Sequence, residues 1–196
     1  MPSNAPSSTK REIGLEQVRK LYAVLNEFET LLDKTNVHEK KDIHPFIYEH
    51  SFILHPNPEE VFSEVQIGLG TEYQLDFLVR EADGKYIIVE IENPRHRIFN
   101  KDGYFSSAVN HGLSQIEDWQ EWIENNLSTV QKRFAEMSSP RGILIIGRSK
   151  YFTEEESRRL ARRNINSRGR LEILTYDHLI ANARAFISSI EKNLQF

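Results

Sequence analysis

Leu15, Val18, Leu21, Leu25, Phe28 and Leu32 recur three or four residues apart, which predicts an amphipathic helix over about 12–34. A shorter helix is expected over 41–54, stopped by His55-Pro56-Asn57-Pro58, where the prolines offer no N–H to continue it. Three strand-like runs follow, at 64–67, 74–80 and 85–92, the last two separated by the hairpin signal Glu81-Ala82-Asp83-Gly84. Val109, Leu113, Ile116, Trp119 and Ile123 restore the helical period over about 106–126. A wholly apolar run at 142–147 reads as a buried strand. Thr153 and Glu156 form a capping-box pattern opening a charged helix, then come a strand at 171–175 and a closing helix N-capped by Asp177. The chain thus divides into a Pro/Ser-rich disordered start (1–11), an N-terminal helical segment (12–40) and one domain (41–196). A hairpin meander followed by two helical crossovers implies an α/β fold, a mixed central sheet with helices on both faces.

The alternation along 86–92 carries the first chemical signal. Ile87, Val89 and Ile91 point one way; Tyr86, Ile88, Glu90 and Glu92 point the other. Two carboxylates therefore share one face at the end of a strand expected to be central. A three-residue loop, Ala82-Asp83-Gly84, with Gly84 left-handed, pairs Glu81 with Lys85 and sets Asp76 opposite Glu90. A two-residue loop, Asp83-Gly84, would pair Asp76 with Ile91 and turn it away. Like charges brought this close raise one another's pKa unless a cation is shared. Oxygen donors suit Mg²⁺ or Mn²⁺ better than zinc; the bland alternative is a wet strand end.

Composition narrows the chemistry. The chain has no cysteine, which excludes disulfides, thiolate metal sites and cysteine catalysis and is compatible with a cytoplasmic location. Its apolar runs are too short to span a bilayer, and its start lacks the apolar core of a signal peptide, so no membrane partner is expected. The net charge of −4 hides a division. Residues 49–92 hold ten acids against two bases, a net of −8, whereas 141–170 hold nine bases against three acids, a net of +6. Glu154/Arg158 and Glu155/Arg159 have i,i+4 spacing, the mark of a solvated helix face. Arg162 and Arg163 have no acid within five residues and Arg168 and Arg170 have only Glu172, so these four are candidates for a phosphate-binding edge.

Gln74-Leu75-Asp76-Phe77 with Ile88-Val89-Glu90-Ile91-Glu92-Asn93-Pro94 resembles the PD-(D/E)xK nuclease core. Further matching features extend from Phe46 to Ala185: Phe46/Phe52-His55-Pro56, the Gln115 helix, Gly142–Gly147-Arg148 and Thr175-Tyr176-Asp177-His178-Leu179. Taken in order, they resemble the nuclease domain of the Shedu anti-phage defence family. The resemblance implies a restriction-endonuclease-like core and a Mg²⁺-dependent (or Mn²⁺-dependent) endonuclease that hydrolyses double-stranded phage or plasmid DNA. It implies Asp76 and Glu90 as metal ligands and catalytic residues, with a further carboxylate from the preceding element: Glu64 first, on the neighbouring strand, with Glu60 or Glu49 as alternatives. Position 92 departs from the general PD-(D/E)xK motif, holding Glu where that motif has Lys. Glu92 can accept a proton or add a ligand but cannot donate positive charge, so a catalytically inactive module that binds nucleic acid or partners is the alternative.

Gln115 and Trp119 sit one turn apart, like the Gln-x-x-x-Tyr helix of some such sites, which gives Gln115 a role in orienting water. Trp119 and Trp122 are read as core, and His111 as structural or solvent-facing. Arg95, His96, Arg97 or Lys101 could supply the missing positive charge; the alternative is a solvated basic loop. Arg95 and Arg97, with Arg162, Arg163 and Arg168, are the candidate DNA contacts. Leu21, Leu25, Phe28 and Leu32 form a stripe that serves either homo-oligomer formation or packing on its own domain.

Overall fold

The structure, a computed structural model, describes residues 8–68 and 74–194. Five strands lie side by side in chain order: β1 (Pro58–Gln66), β2 (Gln74–Glu81), β3 (Tyr86–Ile91), β4 (Arg141–Ile145) and β5 (Leu171–Leu174). The β1–β2 and β2–β3 pairs are antiparallel, and β3–β4 and β4–β5 are parallel. Parallel neighbours need crossovers. α3 (Ser107–Asn125) and the short α4 (Leu127–Val130) supply the first, and α5 (Glu154–Asn166) the second. α1 (Ser8–Asp33) and α6 (Tyr176–Leu194) cover the other face, with a π-helical turn (Glu39–Ile43), α2 (His44–Glu49) and a 3-10 turn (Ser51–Ile53). This is the mixed, helix-flanked α/β sheet that the meander and crossovers predict.

Strand alternation builds two cores from one sheet. Leu78, Tyr86, Ile88 and Leu144 pack with Val109, Ile116, Trp119 and Leu160 of α3 and α5. Phe77, Val79, Ile87, Val89 and Ile91 pack with Leu25, Phe28, Ile47, Tyr176 and Ile187 on the opposite face. All six residues of β3 are buried, including Glu90. Full burial of one such aliphatic side chain contributes roughly 1.5–3 kcal/mol, so β3 anchors both layers. Trp119 is core, as expected, and Trp122 packs partly buried against the same cluster. Among the described residues, no helix is long and apolar enough to cross a membrane.

Several boundaries differ from expectation for identifiable reasons. α1 begins at Ser8, inside the stretch expected to be disordered; residues 1–7 lie outside those described. Its stripe of Leu25, Phe28 and Leu32 is buried in this chain's own core, so it is not a free oligomerisation face. The helix expected at 41–54 is three pieces, because Pro45 must sit in a first turn and starts a new helix at His44. β1 starts at Pro58, well before residue 64. It is an edge strand with an irregularity near Pro58 and Glu60 and with exposed acids, so it shows no clean alternation. The cap of α6 is Thr175, whose Oγ1 accepts from His178 N at 3.3 Å, and not Asp177. The capping box at Thr153 and Glu156 is present as read.

Candidate active site at the ends of β2 and β3

The hairpin takes the three-residue loop. Glu81 N donates to Lys85 O at 2.8 Å, Gly84 N donates to Glu81 O at 2.9 Å, and Gly84 has φ +81°. The observed pairs Arg80↔Tyr86, Val79↔Ile87, Leu78↔Ile88 and Phe77↔Val89 continue directly to Asp76 opposite Glu90. Asp76 Oδ2 accepts from Ile91 N at 3.0 Å, which ties its side chain across the end of β3. His44 steadies the same residue from behind: its Nε2 lies 3.2 Å from Asp76 O and its ring stacks on Phe77.

Glu90 is 8 % exposed, and its Oε2 is buried without a hydrogen-bond partner. Burial, then the Asp76 carboxylate and a hydrogen bond to it, push Glu90 up to about 10. An orphaned carboxylate oxygen costs stability unless a cation completes it. Among the described residues, no three His, Asp or Glu side chains form a ready cage. Two carboxylates nevertheless fit Mg²⁺, which commonly takes one or two from the protein and fills its shell with water and substrate phosphate.

Reading the sequence missed Glu39. It opens the π-helical turn, in which Asp42 N and Ile43 N both donate to His38 O, at 3.0 and 3.2 Å. Burial first, then the charges of Asp76 and Glu92, raise Glu39 to about 7. Single π turns recur at functional sites because the extra residue redirects a side chain, but no sequence pattern announces one. Glu64 falls opposite Asp76 by count along β1. It is exposed, its φ is +51°, and it is not among the charges acting on Glu90 or Glu39. Gln115 lies half-buried on α3, over the Asp76/Glu90 face, and its side-chain amide hydrogen-bonds to no described residue. His111 is exposed.

Glu92 continues past β3, where its N donates to Ile145 O at 2.8 Å and its O accepts from the buried Tyr176 hydroxyl at 2.8 Å. Its Oε2 lies 3.2 Å from His96 Nδ1, an ion pair whenever His96 is protonated. Of the four basic candidates after β3, His96 is thus the one placed against Glu92. Arg95 donates to Lys34 O at 2.6 Å, while Arg97 and Lys101 are exposed.

The other arginines lie elsewhere. Gly142 N donates to Arg170 O, which fixes the end of α5 beside the start of β4, whereas Glu92 bonds the end of β4. Arg162, Arg163 and Arg168 therefore sit at the opposite end of the parallel strands from Asp76 and Glu90. Five strand residues separate the two ends by roughly 16 Å.

A solved structure described as "Structure of EndoMS-dsDNA2 complex" matches with 18% identity and a TM-score of 0.38, over 69% of this chain. This chain spans 43% of that one. No curated protein matches. The family model described as "Shedu protein SduA, C-terminal" matches residues 36–180, from before the π turn into α6. That span is most of the chain and contains Asp76, Glu90 and Glu92. The chain belongs to the Shedu SduA C-terminal family.

Proposed function

We propose that this chain is a divalent-metal-dependent DNA endonuclease of an anti-phage defence system. The observation that carries the reading is the buried, unpartnered Oε2 of Glu90 on a strand opposite Asp76. Membership of the Shedu SduA C-terminal family supports it. Asp76 and Glu90 would hold Mg²⁺ or Mn²⁺, with the Ile91 carbonyl as a further oxygen donor. Such an ion makes water a nucleophile near neutral pH and offsets charge on the phosphodiester. Glu92 takes the proton from the attacking water, and His96, 3.2 Å from its Oε2, is the basic side chain placed beside the motif lysine's position. Gln115, with its amide unengaged by described residues, orients that water. Arg95 and Arg97, on the same end of the sheet, hold the backbone of the strand being cut.

The test is supercoiled and linear DNA incubated with Mg²⁺, with Mn²⁺ and with chelator, using wild type, Asp76→Ala and Glu90→Ala. Nicking or linearisation by wild type alone, abolished by chelator, is the expected result. DNA binding without cleavage under either metal would overturn the enzyme and leave a binding module, the outcome that Glu92 in place of lysine makes worth testing.

A further inference from the structure

Beside the carboxylates lies a cleft of about 670 Å³, the size of a small-molecule site and ample for one nucleotide. It is built from the 94–99 segment that leaves β3, the end of α1, and the turn after β4. Gly147 makes this junction possible: its φ is +65°, and a Cβ there would lie 2.5 Å from His96 O. His96 belongs both to the cleft wall and to the Glu92 pair, so the two sites are contiguous.

The chemistry of the lining is divided. Its floor is apolar, with Ile98 and Phe99 buried and Phe152 packed 6.1 Å from Phe99. Its rim is cationic. Arg95 and Arg97 have no carboxylate partner among the described residues, although the whole chain is net negative. The acids nearby are already engaged: Glu156 binds Thr153 N at 2.7 Å, and Asp33 binds Arg148 at 2.8 Å and Lys150 at 2.6 Å. Tyr151 stands on this rim 76 % exposed, with Lys150 Nζ 5.2 Å from its ring centroid. An exposed aromatic ring beside guanidinium groups that no carboxylate neutralises matches an unpaired nucleotide, whose base stacks while its phosphate is neutralised. A base pair inside a duplex has both faces covered by its neighbours.

We propose that this cleft binds one unpaired nucleotide of the DNA strand, its base on Tyr151 and its phosphate on Arg95 and Arg97. The inference rests on the nuclease reading for its substrate but not on cleavage for its test. Binding would be measured by fluorescence anisotropy in chelator, on the full chain, with a blunt duplex, the same duplex carrying a short overhang, a single strand, and free dAMP as competitor. Wild type is expected to favour the overhang and single strand over the blunt duplex by about tenfold. Tyr151→Ala should erase that preference, and Tyr151→Phe should keep it, because the ring and not the hydroxyl is used. Arg97→Gln should weaken all DNA forms and lower the salt slope by about one. Equal affinity for blunt and unpaired DNA, or an unchanged preference in Tyr151→Ala, overturns the proposal. Tight dAMP binding with no overhang preference overturns it in favour of a free-nucleotide site. Cleavage without any preference sinks the cleft and spares the nuclease; preference without cleavage does the reverse.

Discussion

Residues 49–92 and 141–170 carry opposite net charges along the chain, but folding treats the two very differently. Six of the nine bases in the second stretch find acids: Arg141 with Glu81, Arg148 and Lys150 with Asp33, Arg158 with Glu154, Arg159 with Glu155, and Arg170 with Glu124. Among the described residues, three acids of the first stretch are answered by Lys or Arg, Glu59 by Arg80, Glu81 by Arg141 and Asp83 by Lys85. The basic stretch is thus largely neutralised in space, and the acidic one is not. Asp76 and Glu90 stand apart: they face each other, the second raised by its burial and by the first, and neither forms an ion pair with a basic side chain among the described residues. Two facing acids, one of them buried, can share such a place only by holding a proton or a cation, which is why the proposed metal site is set there.

The largest effect should come from removing that pair. Asp76→Asn and Glu90→Gln keep the volume but lose the oxygen charge that would hold a metal. Cleavage of plasmid DNA should fall by about 10³-fold or more in each, since metal stabilisation is worth several kcal/mol. Residual activity near that of wild type in Glu90→Gln would remove the pair from the site.

Next in size is a structural contrast. Arg148 has a side chain only 7 % exposed, and bonds Asp177 and Asp33 at 2.8 Å each. Asp177→Ala leaves this buried guanidinium with one partner and should cost about 2 kcal/mol in urea unfolding. That lies below the 3–5 kcal/mol for fully buried pairs because Asp177 is partly exposed. Glu154→Ala, which breaks an exposed i,i+4 pair, should cost no more than about 0.5 kcal/mol.

The pair can also be sharpened by pH. Glu90 titrates near 4.5 when unfolded and is raised to about 10 in the fold; Glu39 moves from 4.5 to about 7. Between those values the native state holds protons that the unfolded chain has lost, so stability falls as pH rises. Metal-free protein should therefore show a Tm that drops steadily from pH 5 to 9. Glu90→Gln should flatten most of that slope, and Glu39→Gln the part below about pH 7. Mg²⁺ should restore Tm most at high pH, where it replaces the protons. A wild-type slope unchanged in Glu90→Gln would contradict the buried-acid account.

The residues that sequence reasoning placed well share one property: they depend on local rules. Local turn rules reduce the hairpin to two registers, and the three-residue loop with Gly84 left-handed is the one that sets Asp76 opposite Glu90. Alternation on β3 and the helical period of α3 put Ile88 and Trp119 in the core in the same way. What could not be read depends on long-range assembly. Glu39 joins the acids only because a π turn, 37 residues before Asp76, packs under the sheet; its own neighbours carry no motif. Asp177 looks like a cap from its position, but Arg148 and Lys150, brought by β4, claim its oxygens. Likewise the arginines of α5 look close to the acids only as a charge count, because the crossover carries them to the far end of the strands.

That distance yields the subtlest test. If the two ends of the sheet differ as their placement implies, DNA affinity should be unequally sensitive to arginine loss. Arg97→Ala, on the carboxylate end, removes a cation near the strand being cut. It should lower affinity several-fold and reduce the salt slope by about one, the signature of a lost phosphate contact. Arg162→Ala, Arg163→Ala and Arg168→Ala remove charges roughly 16 Å further along the strands. At physiological salt the Debye length is about 8 Å, so these charges act on the reacting phosphate only weakly. Each should change affinity for a short oligonucleotide by less than about twofold, with the effect growing only on duplexes long enough to reach them. Equal losses at both ends on a short oligonucleotide would mean that DNA lies along the sheet, not across its carboxylate end.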